Sequence, residues 1–159
     1  MGKILEKINE QMNFELESGY IYLSMAAYLK DRGFDGMSDF MHKQAHEEYE
    51  HAMKMYGFLT SVGKLPVFES INKPAANYKS ELDVFQQALQ HEKKVTSRVN
   101  DLVDLAREEN DKRVEIFLQW YVTEQVEEED VFTDLVLKLE RTDGKFNALY
   151  LLDGMIAGK

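Results

Sequence analysis

The chain has 159 residues, 44% of them hydrophobic and 30% charged, a balance that supports one domain with a substantial core and argues against disorder. Its 29 acidic and 19 basic residues give a formal charge of −10, which repels nucleic-acid phosphates and attracts cations. The absence of cysteine removes disulfides, thiolate metal sites and cysteine nucleophiles together, and no run approaches the apolar length of a membrane span.

At the N-terminus, Glu6 interrupts the apolar core that a secretory signal needs and breaks the myristoylation pattern, so a cytoplasmic location is the expectation. A first helix is predicted over 3–31, ended by Asp31-Arg32-Gly33-Phe34-Asp35-Gly36, and a second over 37–63. Both prolines, Pro66 and Pro74, fall between Gly63 and Ser80 and divide the chain in two. Two further long helices follow over 80–109 and 111–141, separated at Glu109-Asn110-Asp111. Thr142-Asp143-Gly144 then precedes a short apolar helix at 146–156, expected to find its packing partners on other subunits. A helix of about 27 residues is roughly 40 Å long, and about seventeen extended residues can reach roughly 55 Å. The proline-containing segment can therefore run the length of the bundle and set the third helix parallel to the second.

Steps of three and four mark the inward seam of each long helix. The seams read Ile8, Met12, Glu15, Gly19, Tyr22; then Met41, Gln44, Glu48, His51, Met55; then Phe85, Leu89, Glu92, Thr96, Val99; then Leu118, Tyr121, Gln125, Glu128, Phe132. Each is apolar at its ends and polar near its middle. Glu48 and His51 form Glu-x-x-His, which puts a carboxylate and an imidazole on one helix face. Glu48 follows Glu15 by 33 positions, Gln125 follows Glu92 by 33, and Glu128 stands three after Gln125 as His51 stands three after Glu48. A Glu followed by an i, i+3 pair thus occurs twice.

No Lys or Arg lies on the seams to neutralise four inward carboxylates, which would repel one another and stay partly protonated. Two divalent cations would balance them. Oxygen donors with one imidazole and no sulfur suit iron or manganese, whereas calcium rarely recruits histidine. With redox-active iron, the natural oxidant is dioxygen or peroxide. Elsewhere, His42, His46 and His91 are off the seams, Trp120 and Tyr121 read as packing aromatics, and only Glu128 of the run Glu127-Glu128-Glu129-Asp130 faces inward.

Three stretches carry a resemblance: Asn9-Glu10-Gln11-Met12-Asn13 leading to Glu15, His46-Glu47-Glu48-Tyr49-Glu50-His51, and Phe117-Leu118-Gln119-Trp120-Tyr121-Val122 followed by Glu124-Gln125-Val126-Glu127-Glu128-Glu129. Through them, and along essentially its whole length, the chain resembles the non-haem ferritins of bacteria and archaea. The resemblance implies an all-α, ferritin-like four-helix bundle with one long crossover and a short fifth C-terminal helix. It implies that Glu15, Glu48 and His51 hold one iron, and that Glu48 bridges to a second iron held by Glu92 and Glu128, with Gln125 adjacent and Tyr22 beside the centre. Glu47, Glu124 and Glu127 match carboxylates that, with Glu128, form a third iron site in many prokaryotic members. The implied activity is oxidation of Fe(II) to Fe(III), with storage of the mineral inside a homo-oligomeric cage of 24 subunits. Haem is not expected: Tyr49 stands where bacterioferritins place their haem-ligating Met, and position 128 is Glu rather than His. The rival readings are a di-iron peroxidase or oxygenase and a metal-binding bundle without turnover.

Overall fold

A computed structural model describes residues 2–158. Its helices are α1 (Ile4–Asp31), α2 (Asp35–Ser61), α3 (Glu81–Glu108), α4 (Lys112–Arg141) and α5 (Phe146–Ala157), with no strand among the described residues. Helix α1 packs along α2 and α3 along α4, forming the expected four-helix bundle.

The crossover between α2 and α3 lies along α1 and is held by side chains on successive turns of that helix. Asn9 both donates to the carbonyl of Val67 and accepts from its N–H, Asn13 contacts Val67 and Glu69, and Glu17 accepts from the N–H of Asn72. Further along, Ser24 donates to the Ala75 carbonyl and Tyr28 packs edge-on to Tyr78. These contacts satisfy backbone groups that have no ladder or helix of their own. They also carry the chain back to the far end of α1, where Arg32 pairs with the buried Glu81 at the start of α3. The third helix therefore runs parallel to the second.

Most helix boundaries match their sequence signals. Ser80 and Asp111, read as the first helical residues, are caps: their side chains accept from the N–H groups of Asp83 and Val114. Helix α2 ends at Ser61 rather than at 63 because Gly63, at φ +80°, takes the left-handed position after the last turn. There the N–H of Lys64 closes onto the carbonyl of Leu59.

The other end of α2 differs more. It begins at Asp35, two residues ahead of the expected start, because α5 supplies its cap from across the chain. The buried Asp153 carboxylate accepts from the N–H groups of Gly36 (3.2 Å) and Met37 (2.7 Å). Helix α5 thus packs on its own bundle, with Leu149, Leu152 and Ile156 joining the core near Phe34 and Met37, contrary to the expectation that it buries chiefly against other subunits. Its opposite face, including Tyr150, Leu151 and Met155, remains exposed.

The apolar interior is divided into two clusters. One gathers Tyr22, Leu29, Met41, Phe85 and Phe132; the other gathers Ile8, Met12, Met55, Val99 and Leu118. Between them lies a buried belt of ionisable and amide side chains.

Candidate metal centre

The belt forms where the four seams turn polar at the same height. Glu15 on α1, Glu48 and His51 on α2, Glu92 on α3, and Gln125 and Glu128 on α4 are all buried, the carboxylates of Glu15 and Glu92 completely so. The carboxylate and imidazole donors of the belt, together with Glu124 at its edge, form three overlapping sets, within each of which the atoms lie no more than 4.8 Å apart. One set is Glu15, Glu48 and His51; a second is Glu48, Glu92 and Glu128; the third is His51, Glu124 and Glu128. Glu48 belongs to the first two, so its carboxylate is placed where it could contribute to both.

Neutral donors surround the belt. Gln44 reaches Glu48 (3.1 Å) and Glu128 (2.7 Å), tying α2 to α4. Gln125 donates to the Glu92 carboxylate at 3.2 Å, and the phenol of Tyr22 donates to the other Glu92 oxygen. Gln11 donates to Glu15 at 3.3 Å. On the imidazole side, His51 Nδ1 lies 3.4 Å from Glu48, and Tyr121 donates to the His51 carbonyl at 2.6 Å. No Lys or Arg side chain pairs with any of the four central carboxylates among the described residues.

Four carboxyls in one dry space cannot all ionise. Burial raises Glu15 well above the usual carboxylate range, and the neighbouring Glu48 charge raises it further. Glu48 is raised for the same first reason, with Glu92 and Glu128 adding to it. Burial lifts Glu92 to about 7, and burial with the charges of Glu92 and Glu47 lifts Glu128 to about 9. Glu15 Oε2 is buried with no hydrogen-bond donor facing it. The Glu15 and Glu48 carboxyls can bond to each other only if one of them carries a proton, and their shared bond raises Glu15 and lowers Glu48, which makes Glu15 the donor. Protons therefore hold the ion-free belt together, in places where divalent cations would serve with full ionisation. The donor chemistry, the orphaned oxygen and the uncompensated charge all fit a pair of such ions.

The residues expected at a third site are placed unequally. Glu124 is half-buried, with an oxygen 3.9 Å from His51 Nε2 and close to Glu128. Glu47 lies on the outer rim, its carboxyl raised by partial desolvation and by Glu124 although His51 opposes this. Glu127 is exposed and joins none of the three sets. His91 is no part of the belt: it meets Ser18 at 2.7 Å, stacks on Phe14, and is pushed down to about 4 by burial. Trp120 packs edge-on to His51 beneath Lys54.

Sequence reasoning passed over Gln11 and gave Gln44 no role. Gln44 stands on the seam four residues before Glu48, and Gln11 four before Glu15. That shared i, i−4 spacing is the signal that could have found both.

An all-α bundle with a single long crossover and a short fifth helix is the architecture of the ferritin-like class. The ferritin-like domain model matches residues 5–142, and the chain belongs to the ferritin family. It is 39% identical over 150 residues to a probable bacterial non-heme ferritin-like protein of Haemophilus influenzae, covering 94% of this chain and 91% of the other. A bacterial non-heme ferritin of Escherichia coli O6:H1 is 36% identical over 151 residues, with 95% and 92% covered. Among solved structures, an open pore ferritin from the hyperthermophilic archaeon Archaeoglobus fulgidus superposes with a TM-score of 0.97 at 39% identity, covering 100% of this chain and 98% of that one. A humanized archaeal ferritin gives 0.97 at 41%, with 99% and 96% covered.

Proposed function

We propose that the chain is an iron-storage ferroxidase subunit. The observation that carries this reading is the buried belt, in which Glu48 is common to two donor sets that hold no Lys or Arg counter-ion. Two Fe(II) ions are the substrate, one held by Glu15, Glu48 and His51, the other by Glu48, Glu92 and Glu128 with Gln125 beside it. Each Fe(II) gives up one electron, and the pair passes to dioxygen or peroxide as acceptor. Tyr22, fixed on Glu92, holds that carboxylate in place for the second iron. Oxidation leaves +6 against four carboxylates, an imbalance that drives product outward. Glu124, within reach of both His51 and Glu128, is the first carboxylate on that route, and with Glu47 and Glu127 it offers a third iron site.

The product is stored as mineral within a homo-oligomeric cage, for which the family resemblance implies 24 copies, in the cytoplasm and without haem. Among the described residues no helix is long and apolar enough to cross a membrane. Aerobic addition of Fe(II), followed by size exclusion and an iron assay, tests the reading. A large assembly retaining far more iron than two ions per chain supports it. Oxidation with no retained iron would favour a di-iron oxidase that releases a soluble product, and neither would favour a structural bundle.

A further inference from the structure

A line of three side chains connects the surface of α3 to one particular oxygen in the belt. Arg98 Nε donates to Gln11 Oε1 at 2.7 Å, and Gln11 Nε2 donates to Glu15 Oε1 at 3.3 Å. The guanidinium also lies 4.0 Å above the Phe14 ring, a contact that fixes its plane as well as its position. Gln11 is 1% exposed and Glu15 fully buried, so water has little access to the far end of the line.

A primary amide has one acceptor end and one donor end. By occupying the oxygen of Gln11, Arg98 obliges its NH₂ to face Glu15. That NH₂ engages Oε1 of Glu15 and leaves Oε2 as the buried atom with no donor of its own, 4.0 Å from His51 Nδ1. We infer that Arg98 and Gln11 are positioning residues for the metal centre: acting in series, they select which Glu15 oxygen meets the first ion and prevent the carboxylate from turning away. The inference rests on the proposed function, since it assumes that the first divalent ion binds at Glu15.

A bare positive charge near the belt and a directed hydrogen-bond relay make different demands on Arg98. Lysine would preserve the charge while losing the planar donor that addresses Gln11. A relay in series also makes the two residues interdependent, so removing Arg98 has no further effect once Gln11 is gone.

The test is anaerobic titration of the assembled protein with Co(II) alone. Its visible absorption reports both affinity and coordination geometry without any oxidation. Arg98→Leu, Arg98→Lys and Gln11→Leu should each weaken the first Co(II) equivalent roughly tenfold or more, as loss of an outer hydrogen-bond partner does at other metal sites. The Co(II) band should change in the same way in all three. Arg98→Leu combined with Gln11→Leu should be no weaker than Gln11→Leu alone. Far-ultraviolet circular dichroism controls for folding, and the half-exposed Arg98→Lys keeps the comparison available if Gln11→Leu is poorly folded. Arg98→Lys binding as the parent does would overturn the relay, as would a double variant whose loss is the product of the single losses. Glu15→Ala separates the two levels. If it binds Co(II) as tightly as the parent, the proposed centre itself fails and the relay with it; if it binds weakly while Arg98→Lys is unaffected, the relay alone is refuted.

Discussion

Asp153 on α5 caps the first turn of α2 at Gly36, and the same approach leaves no room for a larger residue there: a Cβ on Gly36 would lie 2.2 Å from the Asp153 carbonyl oxygen. The fifth helix is thereby part of the subunit's own core. Asp153→Ala should lower the stability of the subunit by about 0.5–2 kcal/mol, the range for losing an N-cap. Gly36→Ala should do at least as much, because backbone must move. Deleting residues 145–159 should lower the melting temperature further, since Leu149, Leu152 and Ile156 leave the core. Calorimetry of the three variants checks this order, and a truncation that melts like the parent would show that α5 adds nothing to the fold.

Ion-free protein should lose stability as pH rises. Glu92 titrates at about 7 and Glu128 at about 9, against an ordinary value of 4.5. Between those values the folded state holds more protons than the unfolded chain, so stability declines with increasing pH. The contribution is complete below about 4.5 and is lost through 7 and then 9. Binding divalent ions replaces the protons, so Co(II)-loaded protein should gain most over the ion-free form at the alkaline end. Melting curves of both forms from pH 5 to pH 9 decide it; an ion-free melting temperature that climbs over the same interval is the opposite result.

Glu48 lies in two of the donor sets, and stability and activity should diverge when it is changed. Glu48→Gln removes one of four mutually repelling buried carboxyls, so at pH 8 the ion-free variant should melt at or above the parent. Its initial rate of Fe(II) oxidation should fall by more than the roughly 10–100-fold that losing an outer hydrogen-bond partner costs. Unchanged initial rates would remove Glu48 from the centre.

The proposed third site predicts a separation between binding and repeated turnover. Replacing Glu47, Glu124 and Glu127 together with Ala should leave two ions bound per chain in anaerobic titration while slowing later cycles of oxidation. Of the three, Glu124→Ala alone should account for most of the effect, because only that carboxylate joins a donor set, with His51 and Glu128. If the triple variant matches the parent through every cycle, these are ordinary surface acids.

The bundle and its polar belt were legible because helical periodicity ties a residue's facing to its number. All the seam positions bearing Glu, Gln or His, from Glu15 to Glu128, lie inside. Length showed that the crossover could span the bundle, and the contacts along α1 fix its direction. What could not be read were contacts between residues far apart in the chain, with no shared period to announce them. Asp153 looks like a polar interruption in an apolar helix until its 117-residue separation from Gly36 is closed. Arg98 lies off the seam, and only the fold reveals that its length brings it to Gln11. The uneven placement of Glu47, Glu124 and Glu127 has the same origin. A one-residue offset from the seam says that a side chain leaves the core, without saying whether a neighbouring helix covers it.

Iron storage is tested by the iron retained per chain after aerobic loading, measured on the size-excluded parent and on Glu48→Ala side by side. The parent should elute as a large assembly holding many more irons than the two its centre can bind, and Glu48→Ala should load far more slowly at equal helicity. A parent that oxidises or binds Fe(II) but carries no more than about two irons per chain would contradict storage.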